Sequence, residues 1–180
     1  MSDWKTILEA SLTELLQLQS SLIGLDHEKS RYFYVQVLIA YFRQDKQTLL
    51  ELAAENNDGA QFRTELLTLT KMRIELRSEN TDLTAIERLR SELSSSNELW
   101  RAEAAFISAT SHQEANFFAE SARLYREAAG LFLRSGITKK SLRSKLSELA
   151  ALTCLKPNLK LFAEYMLIHD EALVAKEFLT

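Results

Sequence analysis

The sequence is poor in the residues that make turns and cross-links. Its 180 residues include four glycines, one proline and one cysteine. Sheets and barrels need many turns, for which glycine and proline are the usual residues, so the composition argues against a sheet-based fold. A lone cysteine cannot form an internal disulfide, which fits a reducing compartment. The sequence also lacks a signal peptide and the roughly 18-residue apolar run of a membrane helix. We therefore expect a cytoplasmic protein without membrane insertion.

Charge gives little sign of a nucleic-acid partner. The formal net charge is −3, whereas dedicated nucleic-acid binders are usually basic. The basic segment from Arg134 to Lys145 contains no aromatic side chain for base stacking, so it is more typical of a solvated helix face. The 46% hydrophobic content is that of a globular protein, and 180 residues are enough for one domain with its own core.

Apolar residues at helical spacing predict nine helices. The first helix runs from Trp4 to a stop at Gly24, and the second from about Asp26 to Phe42. The second helix is apolar on nearly all sides, but no other strand-like run exists to pair with it, so a strand is rejected. The last helix contains Phe162, Met166 and Phe178, and the sequence leaves open a break near His169 and Asp170. Polar segments separate the helices, most clearly at residues 56–59.

These breaks divide a single domain, residues 1–180, into an N-terminal helix and four helix pairs. The turns inside the pairs fall near Asp45, Asn80, Glu114 and Pro157, and the first three of these turns are about 35 residues apart. Regular spacing of helix pairs is typical of a solenoid, whose units bury their apolar faces by stacking. The N-terminal helix and the approximate units are residues 1–24, 26–55, 59–95, 97–136 and 138–180.

The third pair carries the most regular pattern. Small and aromatic residues alternate at steps of three and four, so they share one side of a helix. They are Phe118, Ser121, Tyr125 and Ala128, followed by Gly136. This run resembles the second helix of a tetratricopeptide repeat, with Ser121 in place of the usual alanine. The second pair is similar through Leu69, Met72, Leu76, Ala85 and Leu89, although Arg73 occupies a position that the family usually fills with a small residue.

The resemblance implies an all-α, tetratricopeptide-like α-solenoid of antiparallel helix pairs with an extra N-terminal helix. In that family the first helix of each pair lines a concave groove. The expected function is a non-enzymatic protein–protein interaction module, an adaptor or scaffold that holds a peptide or helix of another protein in the groove. By position, the groove residues are Tyr32, Val35, Ile39, Phe42, Arg73, Ile74, Arg77, Phe106 and Thr110.

Several alternatives stay open. The leucine-rich N-terminal helix could itself fill the groove, so that no partner is needed there. A chaperone of the bacterial secretion type, holding a client segment, would have a similar build and often forms a homodimer. A helical regulator that binds nucleic acid is a further alternative, which would show a steep salt dependence of binding.

The sequence offers no recognisable catalytic constellation. His27, His112 and His169 lack the spacing that puts two metal ligands on one helix face. Cys154 lies in an apolar run, as a core residue would. Four isolated glycines cannot form a phosphate-binding loop. We therefore expect no catalytic residue, no metal and no cofactor.

Overall fold

A computed structural model describes residues 3–25, 28–54 and 61–174 of the chain. These residues form ten α-helices and no strand, which confirms the predicted all-α class. The helices are α1 (Trp4–Glu9), α2 (Leu12–Leu22), α3 (Lys29–Phe42), α4 (Lys46–Ala54), α5 (Gln61–Leu76), α6 (Leu83–Glu92), α7 (Glu98–Glu114), α8 (Phe118–Arg134), α9 (Thr138–Leu155) and α10 (Leu159–Val174).

The prediction of one continuous N-terminal helix is wrong. The chain leaves helical geometry at Ala10, where ψ is 140°, and Ser11 starts α2 with a capping box. The Ser11 hydroxyl accepts from the backbone N–H of Glu14 at 3.3 Å, and the Glu14 carboxylate accepts from the N–H of Ser11 at 2.7 Å. These bonds satisfy donors that a continuous helix would have paired internally, so they favour a break at this point.

At the other end of the chain, α10 continues through His169 and Asp170, so the break left open there does not occur. The other predicted helices are found, with ends within a few residues of the predicted ones. Some predictions lie outside the described residues: the start of the second helix at Asp26, the break at 56–59 and an apolar role for Phe178.

Three helix ends share one type of cap. In each, a residue with positive φ ends the helix, and the next N–H bonds to the carbonyl five residues earlier, which is the Schellman arrangement. The left-handed residues are Gln44 (φ 59°), Asn116 (φ 63°) and Gly136 (φ 75°). The corresponding bonds are Asp45 to Ala40 at 2.9 Å, Phe117 to His112 at 2.8 Å and Ile137 to Phe132 at 2.9 Å. The similar caps turn the chain sharply after α3, α7 and α8.

From α2 onward, each helix packs against the next one in the chain. In addition, α3 contacts α5 and α5 contacts α7, so these alternate helices lie side by side. The largest core cluster spans α1 to α7 and contains the fully buried Tyr34 and Trp100. A smaller cluster joins α7, α8 and the start of α9 around Ala105, Ala128 and Phe132.

Small residues let α8 and α9 pack closely on their preceding helices. The hydroxyl of Ser121 on α8 donates to the carbonyl of Ala109 on α7 at 2.9 Å. In the same way, Ser141 on α9 donates to the carbonyl of Ala129 on α8 at 2.9 Å. Both serines are buried. Such hydroxyl-to-backbone bonds need close helix axes.

Candidate functional site

The four helices α3, α5, α7 and α9 each contribute one residue to a connected polar row. Arg73 on α5 donates from Nη2 to Oε2 of Glu103 on α7 at 2.7 Å. Lys140 on α9 donates from Nζ to Oε1 of the same carboxylate. The hydroxyl of Tyr34 on α3 lies 3.5 Å from Oε2. We call the side of the four helices that carries this row the first-helix face, and Arg73, Glu103 and Lys140 the charged cluster.

Glu103 is held away from water by its neighbours on α7. Ala102, Ala104 and Ala105 are fully buried, and Glu103 itself is 1% exposed. Asn97 fixes the start of this helix, because its side chain accepts from the N–H of Trp100 at 3.2 Å. A carboxylate on so closely packed a helix needs partners from neighbouring helices, and Arg73 and Lys140 supply them.

The charged cluster has two cations for one carboxylate. Burial alone would raise the pKa of Glu103, but the charges of Lys140 and Arg73 outweigh burial and hold that pKa below the usual 4.5. The surplus positive charge meets aromatic faces: the Arg73 guanidinium lies 5.3 Å from the ring centre of Tyr34 and 5.6 Å from that of Tyr41. Nη1 of Arg73 makes no hydrogen bond with any described residue.

The short helix α1 lies across the first-helix face. It packs against both α3 and α9. The Trp4 ring makes edge-to-face contacts with Tyr34, at 6.0 Å between centroids, and with Trp100 of α7, at 4.9 Å. Ile7 and Leu8 are 0% and 4% exposed. Burying two such side chains contributes roughly 1.5–3 kcal/mol each, so α1 is held mainly by apolar contact.

The two ends of α1 are fixed by carboxylates. Asp3 caps its start, accepting from the N–H of Thr6 at 2.8 Å, and this bond is the main reason that the pKa of Asp3 is lowered. At the other end, Oε1 of Glu9 accepts from the N–H of Lys139, in the first turn of α9, at 2.9 Å. Negative charge is favourable at a helix N-terminus. Six residues are too few for a helix that is stable alone, so α1 depends on this docking.

Beside α1 the packing is open. A cavity of about 500 Å³ lies between α1, α2 and α9, and its wall includes Glu9, Glu14, Leu18 and Lys139. The N-terminal helices therefore cover the first-helix face without filling all the space in front of α9.

The predicted groove residues fall into three groups by exposure. Phe42 (43% exposed) and Arg77 are open to solvent. A second group is half-buried: Tyr32, Phe106 and Thr110. The third group is buried in the present conformation and could not touch a partner without a rearrangement: Val35, Ile39, Arg73 and Ile74.

Two sets of contacts involve the exposed and half-buried groove residues Arg77, Phe106 and Thr110. In the first, the Arg77 guanidinium lies 4.5 Å from the ring centre of Tyr41, which is next to Phe42. In the second, Phe106 makes an edge-to-face contact with Tyr125 at 5.4 Å. The Thr110 hydroxyl is 3.1 Å from that of Tyr125.

Helical spacing alone does not indicate that Trp4, Trp100, Glu103 and Lys140 belong to this region. A signal was present for Glu103, a single carboxylate within the alanine-rich run of residues 102–105. Arg73 was a second signal, because tetratricopeptide repeats usually have a small residue at the matching position. A buried cation needs an anion nearby, which points to a carboxylate such as Glu103.

Other features of the described chain offer no metal site. Residues 3–25, 28–54 and 61–174 hold no group of three or more His, Cys, Asp or Glu side chains that could bind a metal ion. Cys154, expected in the core, is exposed. Within the same residues, no helix combines the length and apolarity needed to cross a bilayer. A separate apolar surface lies on α10, where Leu159, Phe162 and Leu167 are 87%, 55% and 62% exposed.

The described residues define an all-α protein with a row of alternate helices covered by its own N-terminal helix. Comparisons with protein families, with curated proteins and with solved structures find no match for the chain.

Proposed function

We propose that this protein is a non-enzymatic, cytoplasmic protein-interaction module of tetratricopeptide-like build. The stacked units are α3/α4, α5/α6, α7/α8 and α9/α10, and their first helices line a groove that holds a helix or peptide of a partner protein. In support, α3 contacts α5 and α5 contacts α7, and the charged cluster links α5, α7 and α9. A row of first helices is what stacked pairs require.

One observation carries the proposal: the first-helix face already binds a helix. The six residues of α1 dock there through an aromatic side chain, two aliphatic side chains and a carboxylate. This contact within one chain supports a helix-in-groove mode of recognition. We infer that the same surface would bind a similar helix from another protein.

The accessible groove residues would make the partner contacts. Phe42 and Arg77 are exposed, and Tyr32, Phe106 and Thr110 are half-buried. Aromatic and arginine anchors of this kind typically contribute about 2 kcal/mol or more each to binding. Val35, Ile39, Arg73 and Ile74 would form the floor beneath these contacts.

Position-specific photo-crosslinking tests the proposal in the full chain. A photoreactive phenylalanine analogue is placed at Phe42 or at Arg77, and as a matched control at Arg88, an exposed residue of the second helix α6. In cells of the native host, we expect positions 42 and 77, but not 88, to form an adduct with the same protein. Adducts that are equally abundant from all three positions, or absent from 42 and 77, would refute the groove.

A quantitative measurement follows from the crosslink. With the crosslinked protein purified, Phe42→Ala and Arg77→Ala should each weaken its binding about tenfold or more, while Arg88→Ala leaves the Kd unchanged within about twofold. If all three variants bind alike, the groove residues do not form the binding surface.

A further inference from the structure

We propose that α1 is a built-in, exchangeable occupant of the groove, and that the partner presents an amphipathic helix with the same anchors. The partner helix would carry an aromatic residue, aliphatic residues three and four positions after it, and a carboxylate five positions after it. This inference rests on the proposed function, because it names the kind of helix that the first-helix face binds.

The anchors are read from the contacts that α1 makes. Trp4 lies against Tyr34 and Trp100, at centroid distances of 6.0 and 4.9 Å. Ile7 and Leu8 follow on the same side of the helix, as positions three and four apart must, and both are buried. By contrast, Lys5 and Thr6 are exposed. The partner's residues at these two positions are therefore free to vary.

The carboxylate anchor fixes the direction of the bound helix. Oε1 of Glu9 accepts from the backbone N–H of Lys139 at 2.9 Å, at the start of an 18-residue helix. A carboxylate there meets both a free N–H and the positive end of the helix dipole. A partner helix that carries an acidic residue after its aliphatic pair would bind in the same orientation, with its aromatic residue over α3 and α7.

The local backbone structure separates α1 from the helix that follows it. It has its own cap at Asp3, and the backbone is extended at Ala10. The next helix, α2, begins with its own capping box and packs separately on α3. A cavity of about 500 Å³ also separates the N-terminal helices from α9 on one side. Short segments with independent ends open at lower free energy than the core.

The charge of the face favours an acidic partner helix. Tyr34, which contacts Trp4, also lies beside the charged cluster, where Arg73 and Lys140 share the single carboxylate of Glu103. Arg143 adds a further cation, and its guanidinium lies 5.7 Å from the centre of the Phe106 ring. The face therefore carries surplus positive charge. A basic helix with the same apolar anchors would bind less well.

A peptide of residues 1–12, labelled with fluorescein, tests the exchange directly. We expect it to bind the full-length Trp4→Ala variant at least about tenfold more tightly than the wild-type chain, whose face is occupied by a tethered helix at an effective concentration of about millimolar. A control peptide with Trp4→Ala and Glu9→Ala should lose about tenfold or more in affinity. The full-length Thr13→Ala variant, changed at an exposed position of α2, should bind the labelled peptide with the same affinity as the wild-type chain.

Native-state hydrogen exchange tests the wild-type chain without any variant. The amides of Ile7 and Ala10, which bond to the carbonyls of Asp3 and Ile7, should exchange at least about 100-fold faster than those in the middle of α8. Equal protection of α1 and α8 would mean that α1 leaves only when the whole protein unfolds, and this would overturn the inference even if Trp4→Ala failed to fold.

The two proposals fail in different ways. If positions 42 and 77 crosslink to a partner but the peptide does not bind folded Trp4→Ala, the interaction module stands and the assignment of the partner's helix is wrong. If the peptide binds but no cellular protein is crosslinked, the proposed function is wrong, and the assignment of a partner helix fails with it.

Discussion

Replacing the buried carboxylate Glu103 by glutamine should destabilise the protein strongly. Glu103 is 1% exposed and pairs with both Arg73 and Lys140. The substitution keeps the shape of the side chain but leaves Arg73, 3% exposed, without an anion. Removing one partner of a buried ion pair typically costs about 3–5 kcal/mol, because the other charge stays buried and uncompensated.

That loss is large compared with the total stability of a domain, which is about 5–15 kcal/mol. For a chain of this size, 1 kcal/mol corresponds to roughly 2–4 °C in Tm, so Glu103→Gln should lower Tm by roughly 6–20 °C. Urea unfolding followed by circular dichroism gives the change in the free energy of unfolding. Thermal scans give the change in Tm.

Two matched variants isolate the cause. Glu98→Gln removes a carboxylate from an exposed pair with Arg134, whose side chains are 44% and 58% exposed, and should cost at most about 1 kcal/mol. Lys140→Met removes the surplus cation and leaves the pair of Arg73 and Glu103, so it should be neutral within about 1 kcal/mol or stabilising. The reasoning is refuted if Glu103→Gln matches wild type, or if Lys140→Met is as damaging as Glu103→Gln.

Three further predictions concern pH, caps and close packing. The folded-state pKa of Glu103 is below its usual 4.5, so its stabilisation is present above the unfolded pKa and is lost as the pH falls through the folded pKa. The difference in the free energy of unfolding between wild type and Glu103→Gln, measured in urea, should therefore shrink as the pH is lowered below 4.5. Gln44 has a φ of 59°, so Gln44→Gly should raise the free energy of unfolding by about 0.5–1 kcal/mol. Gln17→Gly, inside α2, should lower it by a similar amount. A change of the same sign in both variants would contradict the role of the left-handed cap. Ser121→Leu should lower the free energy of unfolding by about 1–3 kcal/mol in the same urea assay, because the larger side chain forces α7 and α8 apart. Ser91→Leu, at an exposed position, should change it by at most about 0.5 kcal/mol. Equal effects of the two substitutions would exclude overpacking as the cause.

The sequence predicted the helices well because their apolar spacing and end signals are local. Gly24, Asn97 and Gly136 were identified as boundaries, and each lies at a helix end in the structure. The break at Ala10 was missed because the leucine spacing continues across it. The signal that could have found it was the pair Ser11 and Glu14, whose spacing is that of a capping box.

The candidate site was harder to predict because its contacts are distant in sequence. Spacing identified Arg73 and Arg77 as members of one helix side, but it could not show that Arg73 pairs with Glu103, 30 residues away, and is buried. Nor could it show that α1 lies against α3 and α7. That placement depends on the contact of Trp4 with Trp100, which no local pattern encodes.

The docking of α1 also has a consequence for biosynthesis. Glu9 and Lys139 are 130 positions apart, and a ribosome adds about 5–20 residues per second, so α1 waits roughly 7–26 seconds before its acceptor on α9 is made. Until then the nascent chain presents an indole and two aliphatic side chains to whatever binds emerging polypeptides. Helix α1 is therefore made well before its acceptor and is among the last of the described helices to reach its final place.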